Sequence, residues 1–473
     1  MIINNYYLSY YKMREMENMP RDNYKKKNIL VDEEPQDSNI NKIGNKITND
    51  IALNIKNMDE IPENSNYLIS SFNQNKIPNI VLLFGLLILI ISEIIFKDSL
   101  FKYSLIYEKH LQNSLSKGSL KLFEIISITG DGVFIGIILC FIFCYFTLIK
   151  TILICTGLIF IVYLHDLMKL IYSDPRPFWV DSLLLKGKCE TSYGNPSGHS
   201  LISFYFYLSF CYYLCQIHKI KNNIYLRVCI YIIALLISSL TAFSRLTLGV
   251  HSLDQVLFGS FLGIFAFLII AFMFKIYDMP LNHYLKFYKI KNYIITFVIT
   301  NILLLIFPFI IYSFIDVEKD KKKYESVMNK YCPNIEEYQL YSHNCLAESL
   351  IILLILGIYC GQFIFWYLIS KTNNKLIEDN SNKNDDYLIL EESINHWNIQ
   401  LNKINKIIKD VMIAVKFLCI LFMILIPGIF YLIISGENSL GNIFIFKIGL
   451  PLFLIGFLAF GPCFYGLIHI LKE

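Results

Sequence analysis

Three short polar blocks, set between apolar runs, carry the residue types from which phosphate chemistry is built. The first is Lys169-Leu-Ile-Tyr-Ser-Asp-Pro-Arg176-Pro177 and the second is Pro196-Ser197-Gly198-His199. The third is Ser244-Arg245, followed by His251, Asp254 and Gln255. Together they supply three cations, two histidines, a Ser-Gly turn and a carboxylate. Fixed cations stabilise the charge that gathers on phosphoryl oxygens in a transition state. A neutral imidazole acts as a nucleophile and an imidazolium as a proton donor, and the two forms interconvert near neutral pH. The set therefore suits a phosphate ester that is held by Lys169, Arg176 and Arg245 and attacked by one of the histidines.

Local sequence argues for the same use. Arg176 lies between Pro175 and Pro177, which bar helix on both sides and give its guanidinium a stiff, extended mount. A guanidinium on such a mount can present its fork to phosphate oxygens. Lys169 stands at the end of an apolar run, where a lysine reaches out of the bilayer. Ser197 reads as the N-cap of the following helix, whose first free amides would face a bound anion. Gly198 would let phosphate approach the backbone with no side chain in the way. His251 wants its second ring nitrogen held. Asp254 and Gln255, three and four residues on, both lie beneath the ring if a helix starts near His251, and Asp254 is expected to hold it because a carboxylate stabilises imidazolium. No acidic cluster of metal-ligand type accompanies the blocks, so the cations are expected to stand in for a metal and no cofactor is expected.

In order and spacing the blocks resemble the type-2 phosphatidic acid phosphatase family, PAP2, with its pattern Lys-x6-Arg-Pro, Pro-Ser-Gly-His and Ser-Arg-x5-His-x3-Asp. The chain departs at the last position, where Gln255 stands in place of Asp. Gln there resembles the glucose-6-phosphatase and dolichyl-diphosphate phosphatase branches. The resemblance spans residues 77–275. It implies that His251 becomes a phosphohistidine, that His199 protonates the leaving alcohol and then activates water, and that Lys169, Arg176, Ser197, Gly198 and Arg245 hold the phosphate. It also implies a lipid phosphate monoester entering from the bilayer, with a polyprenyl diphosphate or a sugar phosphate as the nearest alternative. A transferase of the sphingolipid-synthase type is disfavoured by the intact Arg-Pro and Pro-Ser-Gly-His blocks, and a non-catalytic lipid-binding protein by the presence of both histidines.

The elements that must position these residues are membrane helices. Of 473 residues 55% are hydrophobic and 17% charged, mean hydropathy is +0.49, and apolar runs of about 20 residues recur. The net charge of +4 forms no basic stripe interleaved with aromatics, so nucleic-acid binding has no support. The expected fold is all-α and polytopic, with about ten crossings read by window length. A polar tail over residues 1–76 is read as disordered and carries no cleavable signal peptide. A six-crossing core follows over residues 77–275, then an accessory region of about four crossings over residues 276–473. Within the core, Asp98–Lys121 reads as an interfacial amphipathic helix or a plain connection. In the accessory region, Asp316–Glu348 and Lys371–Lys409 read as polar loops, and the eighth and ninth crossings as Leu350–Ser370 and Val411–Ile434.

By parity all three blocks meet at one face. Lys and Arg are in excess on the opposite face, which makes that one cytoplasmic and the site lumenal or extracellular, in the endoplasmic reticulum or another endomembrane. Cys332 and Cys345 share the site's face, either as a disulfide, which would fit that placement, or as free thiols. Glu93, His165 and Asp166 fall in or near apolar runs; Asp166, three residues before Lys169, reads equally as its structural partner or as a catalytic group, and all three are left out of the site.

Overall fold

A computed structural model describes residues 76–145, 148–181, 183–184, 189–216, 218–276, 291–331, 341–363 and 450–460. Among them the regular structure is helical, with no strand. Lipid offers backbone N–H and C=O groups no partner, and a helix satisfies them within itself. The long helices are α1 (Lys76–Ser114), α4 (Leu148–Tyr172), α6 (Ile224–Thr247), α7 (Leu253–Leu268) and α8 (Lys291–Tyr312). Between them lie α2 (Lys117–Ser127), α3 (Gly132–Tyr145) and α5 (Gly198–Leu214). After α8 come α9 (Val317–Tyr331), α10 (Tyr341–Ser349) and α11 (Leu450–Phe460).

Six helices among the described residues are long and apolar enough to cross a membrane, and a seventh crossing exists if the pair Lys117–Gly130 and Gly132–Leu139, bent by 48°, counts as one. α5, at 17 residues, rises about 26 Å, close to the hydrocarbon thickness. It is the central helix: Leu201, Tyr205 and Phe206 are buried, and it packs against α4, α6 and α7. α6 turns Ile232, Ile233, Leu236 and Leu240 outward, while Ser238, Thr241 and Ala242 face the core.

The α5–α7 contact sets the register of the site. A Cβ on Gly263 would lie 2.5 Å from the Leu201 carbonyl oxygen, and one on Gly259 would lie 2.6 Å from that of Ser197. These two glycines, four residues apart, let the backbones close to a distance that side chains would forbid. The helix starts are thereby joined, with Ser197 N–H donating to the Gln255 carbonyl at 3.0 Å.

Several expectations are corrected. Asp98–Lys121 is neither a separate interfacial helix nor a plain connection, because α1 runs unbroken through 39 residues, about 58 Å, and projects beyond the bilayer. Its far end carries a polar stripe at four-residue spacing, with Ser104, Glu108 and Gln112 buried. Ser104 Oγ accepts from Leu253 N–H at 2.8 Å and Gln112 Nε2 donates to the Thr247 carbonyl at 3.0 Å, so the stripe holds the ends of α6 and α7. Asp316–Glu348 is not a loop throughout: it contains α9 and most of α10. The eighth crossing begins at Tyr341 instead of Leu350, and the described residues follow it as far as Phe363. Cys345 is a free, buried thiol among Trp179, Tyr193 and Tyr341, so it forms no disulfide with Cys332. It is Cys189, in the loop beside the site, that is disulfide-bonded. The N-terminal tail up to Asn75, the Lys371–Lys409 loop and the expected ninth crossing lie outside the described residues.

Candidate active site

The first block leaves α4 through Ser173, whose left-handed φ of 49° turns the chain out of the helix. Arg176 follows in extended conformation (φ −83°, ψ 153°) and caps the single helical turn Pro177–Val180, as its flanking prolines demand. Its guanidinium is buried and fully engaged. Nε donates to the Ser192 carbonyl at 2.6 Å, Nη1 to the Val250 carbonyl at 3.1 Å, and Nη2 to Ser192 Oγ at 3.1 Å and the Tyr193 carbonyl at 3.4 Å. Arg176 thus ties together the loop before the second block and the turn before His251.

Arg176 Nη1 also lies 3.0 Å from His251 Nε2. Arginine can only donate, so Nε2 is the acceptor and the ring proton sits on Nδ1. Nδ1 meets the Gly194 carbonyl at 2.9 Å and Gln255 Oε1 at 3.2 Å. Burial, and then the charges of Arg176, Arg245 and Lys169, hold His251 well below the usual histidine range, so the ring is neutral. Gln255 is locked in turn: Nε2 donates to the Pro175 carbonyl at 2.9 Å and Oε1 accepts from Ser252 N–H at 3.3 Å.

Asp254, expected to hold the ring, is not among its partners, and its Oδ1 is buried without a hydrogen bond. Ser252 is the N-cap of α7 and Gln255, its third residue, folds back as a capping box, which carries the amide under the imidazole. Asp254, one residue earlier, is rotated about 100° away.

Lys169 Nζ donates to Ser192 Oγ at 2.9 Å and lies 3.8 Å from Asp166 and 3.7 Å from Glu348. Arg245 donates through Nη1 to Ser127 Oγ at 2.6 Å and through Nη2 to Glu190 Oε1 at 2.8 Å, while its Nε is buried without a partner. His199 is half-buried and makes no hydrogen bond among the described residues. It lies within electrostatic reach of His251, Glu190 and Arg245, so the blocks do converge. Ser197 and Gly198 start α5 as expected, but each has a packing duty. The Ser197 amide is taken by Gln255, and its Oγ accepts from Ser200 Oγ at 3.0 Å. A Cβ on Gly198 would strike the His165 ring at 2.7 Å. The amides of Gly198, His199 and Ser200 precede the first helical bond, Leu201 N–H to the Ser197 carbonyl at 3.0 Å.

Four participants are not singled out by the three blocks. Ser192 and Gly194 act through a hydroxyl and carbonyls in a loop with no patterned residue. Glu348 arrives from α10, outside the core. Glu190 had a signal: it is the only acidic residue between Asp181 and Asp254. Burial would raise its carboxyl, but Arg176 and Arg245 prevail and hold it well below the usual carboxylate range. Of the ionisable groups left out of the site, His165 Nδ1 lies 2.8 Å from Asp166, and Glu93 accepts from Asn195 at 2.8 Å. Among the described residues no group of three or more His, Cys, Asp or Glu is arranged to hold a metal ion.

Residues 150–278, which contain all three blocks, match the family model of the PAP2 superfamily. A solved structure described as "the first transmembrane PAP2 type phosphatidylglycerolphosphate phosphatase from Bacillus subtilis" is similar at 23% identity, covering 40% of this chain and 93% of that one, with a TM-score of 0.36. No curated protein matches the chain.

Proposed function

We propose that the chain is a membrane-embedded phosphatase that hydrolyses a lipid phosphate monoester through a phosphohistidine. The observation that carries this is the His251 ring, neutral, with its proton fixed on Nδ1 and its Nε2 lone pair turned to the cations, where it accepts from Arg176 until it is exchanged for phosphorus. The match of residues 150–278 to the PAP2 superfamily model supports the phosphatase reading. Nε2 attacks phosphorus, the bond from phosphorus to the ester oxygen breaks, and His199, which enters this step as an imidazolium after taking up a proton with the substrate, gives that proton to the departing oxygen. Water then attacks the phosphohistidine, His199 takes a proton from it, and inorganic phosphate leaves. Lys169 and Arg245, with the unpartnered Nε of the latter, meet the phosphoryl oxygens, aided by the first amides of α5. Arg176 fixes His251 and contributes charge. Gly194 and Gln255 replace Asp254 as holders of the ring.

The test separates the histidines in EDTA-containing buffer. His251→Ala should give no burst of phenol and no acid-labile protein label from an aryl phosphate. His199→Ala should be nearly inactive toward an alkyl lipid phosphate yet still form phosphoenzyme from an aryl phosphate, whose phenolate leaves unaided. A burst from His251→Ala and none from His199→Ala would reverse the roles. No burst in the wild-type enzyme under rapid mixing would remove the covalent step.

A further inference from the structure

We propose that Glu190 sets the affinity of this site by occupying the phosphate cradle itself when no substrate is bound; the inference rests on the phosphatase reading above. The carboxylate bridges two of the three cations, with Oε1 2.8 Å from Arg245 Nη2 and Oε2 3.6 Å from Arg176 Nη2. The Oε1 contact is the charge-assisted hydrogen bond that a phosphoryl oxygen would take from Arg245, and Oε2 meets Arg176 by charge alone.

Three observations argue that it is displaced instead of being a fixed prop. First, its side chain is 24% exposed while the guanidinium side chains that it meets are 2% and 4% exposed, so it lies on the open side of the cradle. Second, neither arginine depends on it for support. Arg176 is held by the Ser192, Tyr193 and Val250 carbonyls, and Arg245 is anchored by Ser127. Third, Glu190 already sets a carboxylate against Arg245 and Arg176. A phosphate monoester brings a charge of about −1.5 to −2 at pH 7, and it can meet those two cations only where that carboxylate withdraws.

An internal competitor of this kind lowers apparent affinity by the fraction of time that the cradle stands open, and it acts on substrate, product and analogue by the same factor. Its effect falls on KM and on release of product phosphate, with bound chemistry unchanged. Glu190→Gln keeps an oxygen for Arg245 but removes the charge. With the full-length protein, inhibition constants for inorganic phosphate and orthovanadate, and KM for an aryl phosphate, should all fall by about tenfold if the cradle stands open about one time in ten. The rate of the phenol burst at saturation should stay within about twofold, being set by His251 and His199 once the ester is bound. Glu190→Asp, too short to span both arginines, should show the same direction with a smaller change. Unchanged or higher inhibition constants in both variants would show that Glu190 is a fixed support of Arg245 and would overturn the proposal. Calorimetric binding of phosphate and vanadate keeps the two readings apart. If wild-type protein cleaves no ester, the phosphatase reading fails, and if Glu190→Gln then binds both anions no tighter, the competitor fails as well.

Discussion

At the scale of single residues, the site departs at one position from the pattern that its blocks resemble. Where the pattern has a carboxylate, a neutral amide and a main-chain carbonyl hold His251 Nδ1. Asp254→Asn should therefore change turnover by less than about threefold, whereas Gln255→Leu should lower it by about tenfold or more, since orienting hydrogen bonds of this kind are worth 1 to 2 kcal/mol. Gln255→Glu should also lose activity, because it places a charge against the Gly194 carbonyl and gives up the donor to Pro175. The check is steady-state turnover on an aryl phosphate. A large loss in Asp254→Asn with Gln255→Leu intact would return the role to the carboxylate. The residue types were legible: Lys169, Arg176, His199, Arg245 and His251 all stand at the cradle, because charge and imidazole advertise themselves in an apolar chain. Gly194 was not, since a carbonyl oxygen has no signature of its own. The choice between Asp254 and Gln255 turned on where α7 begins, and a helix start is read from sequence only to within a residue or two.

At the scale of elements, the glycine seam between α5 and α7 is what brings the second and third blocks together. Gly263→Leu would drive a branched side chain into the Leu201 carbonyl, and overpacking of this kind costs about 1–3 kcal/mol. Because the strain is relieved by parting the helices, activity should fall by more than tenfold while the helical circular dichroism signal stays within about a tenth of wild type. Gly132→Leu, where a Cβ meets nothing within 4 Å, is the control. Equal activities would show that the seam does not set the register. The crossings formed by α1, α4, α6 and α7 were legible from apolar length alone. The continuity of α1 was not, because Lys and Glu past Asp98 read as an end of the membrane segment. Its polar stripe in fact serves a protein contact, with Ser104, Glu108 and Gln112 turned toward the ends of α6 and α7. The same holds for α10, whose polar start concealed that it continues into a crossing.

At the scale of the whole molecule, the placement in the membrane has a direct test. The Cys189 disulfide belongs to the loop beside the site, and disulfides persist on the oxidising side of a membrane. With the Lys and Arg bias of the opposite loops, this supports a site that faces the lumen or exterior. A glycosylation acceptor inserted between α9 and α10 should be modified in cells, and one inserted in Lys371–Lys409 should not. The reverse pattern would invert the protein and leave its chemistry standing. The accessory region also has a bearing on how the protein can be re-engineered. Tyr341 N–H donates to the Thr191 carbonyl at 2.8 Å and Asn344 reaches Thr191 Oγ1 at 3.3 Å, one residue from the Ser192 that serves both Lys169 and Arg176. The end of the family match at residue 278 is therefore no joint for cut-and-paste work. A graft that kept the matched segment and borrowed its later helices from another protein would carry all three blocks and still leave the loop of Thr191 and Ser192 without its backing.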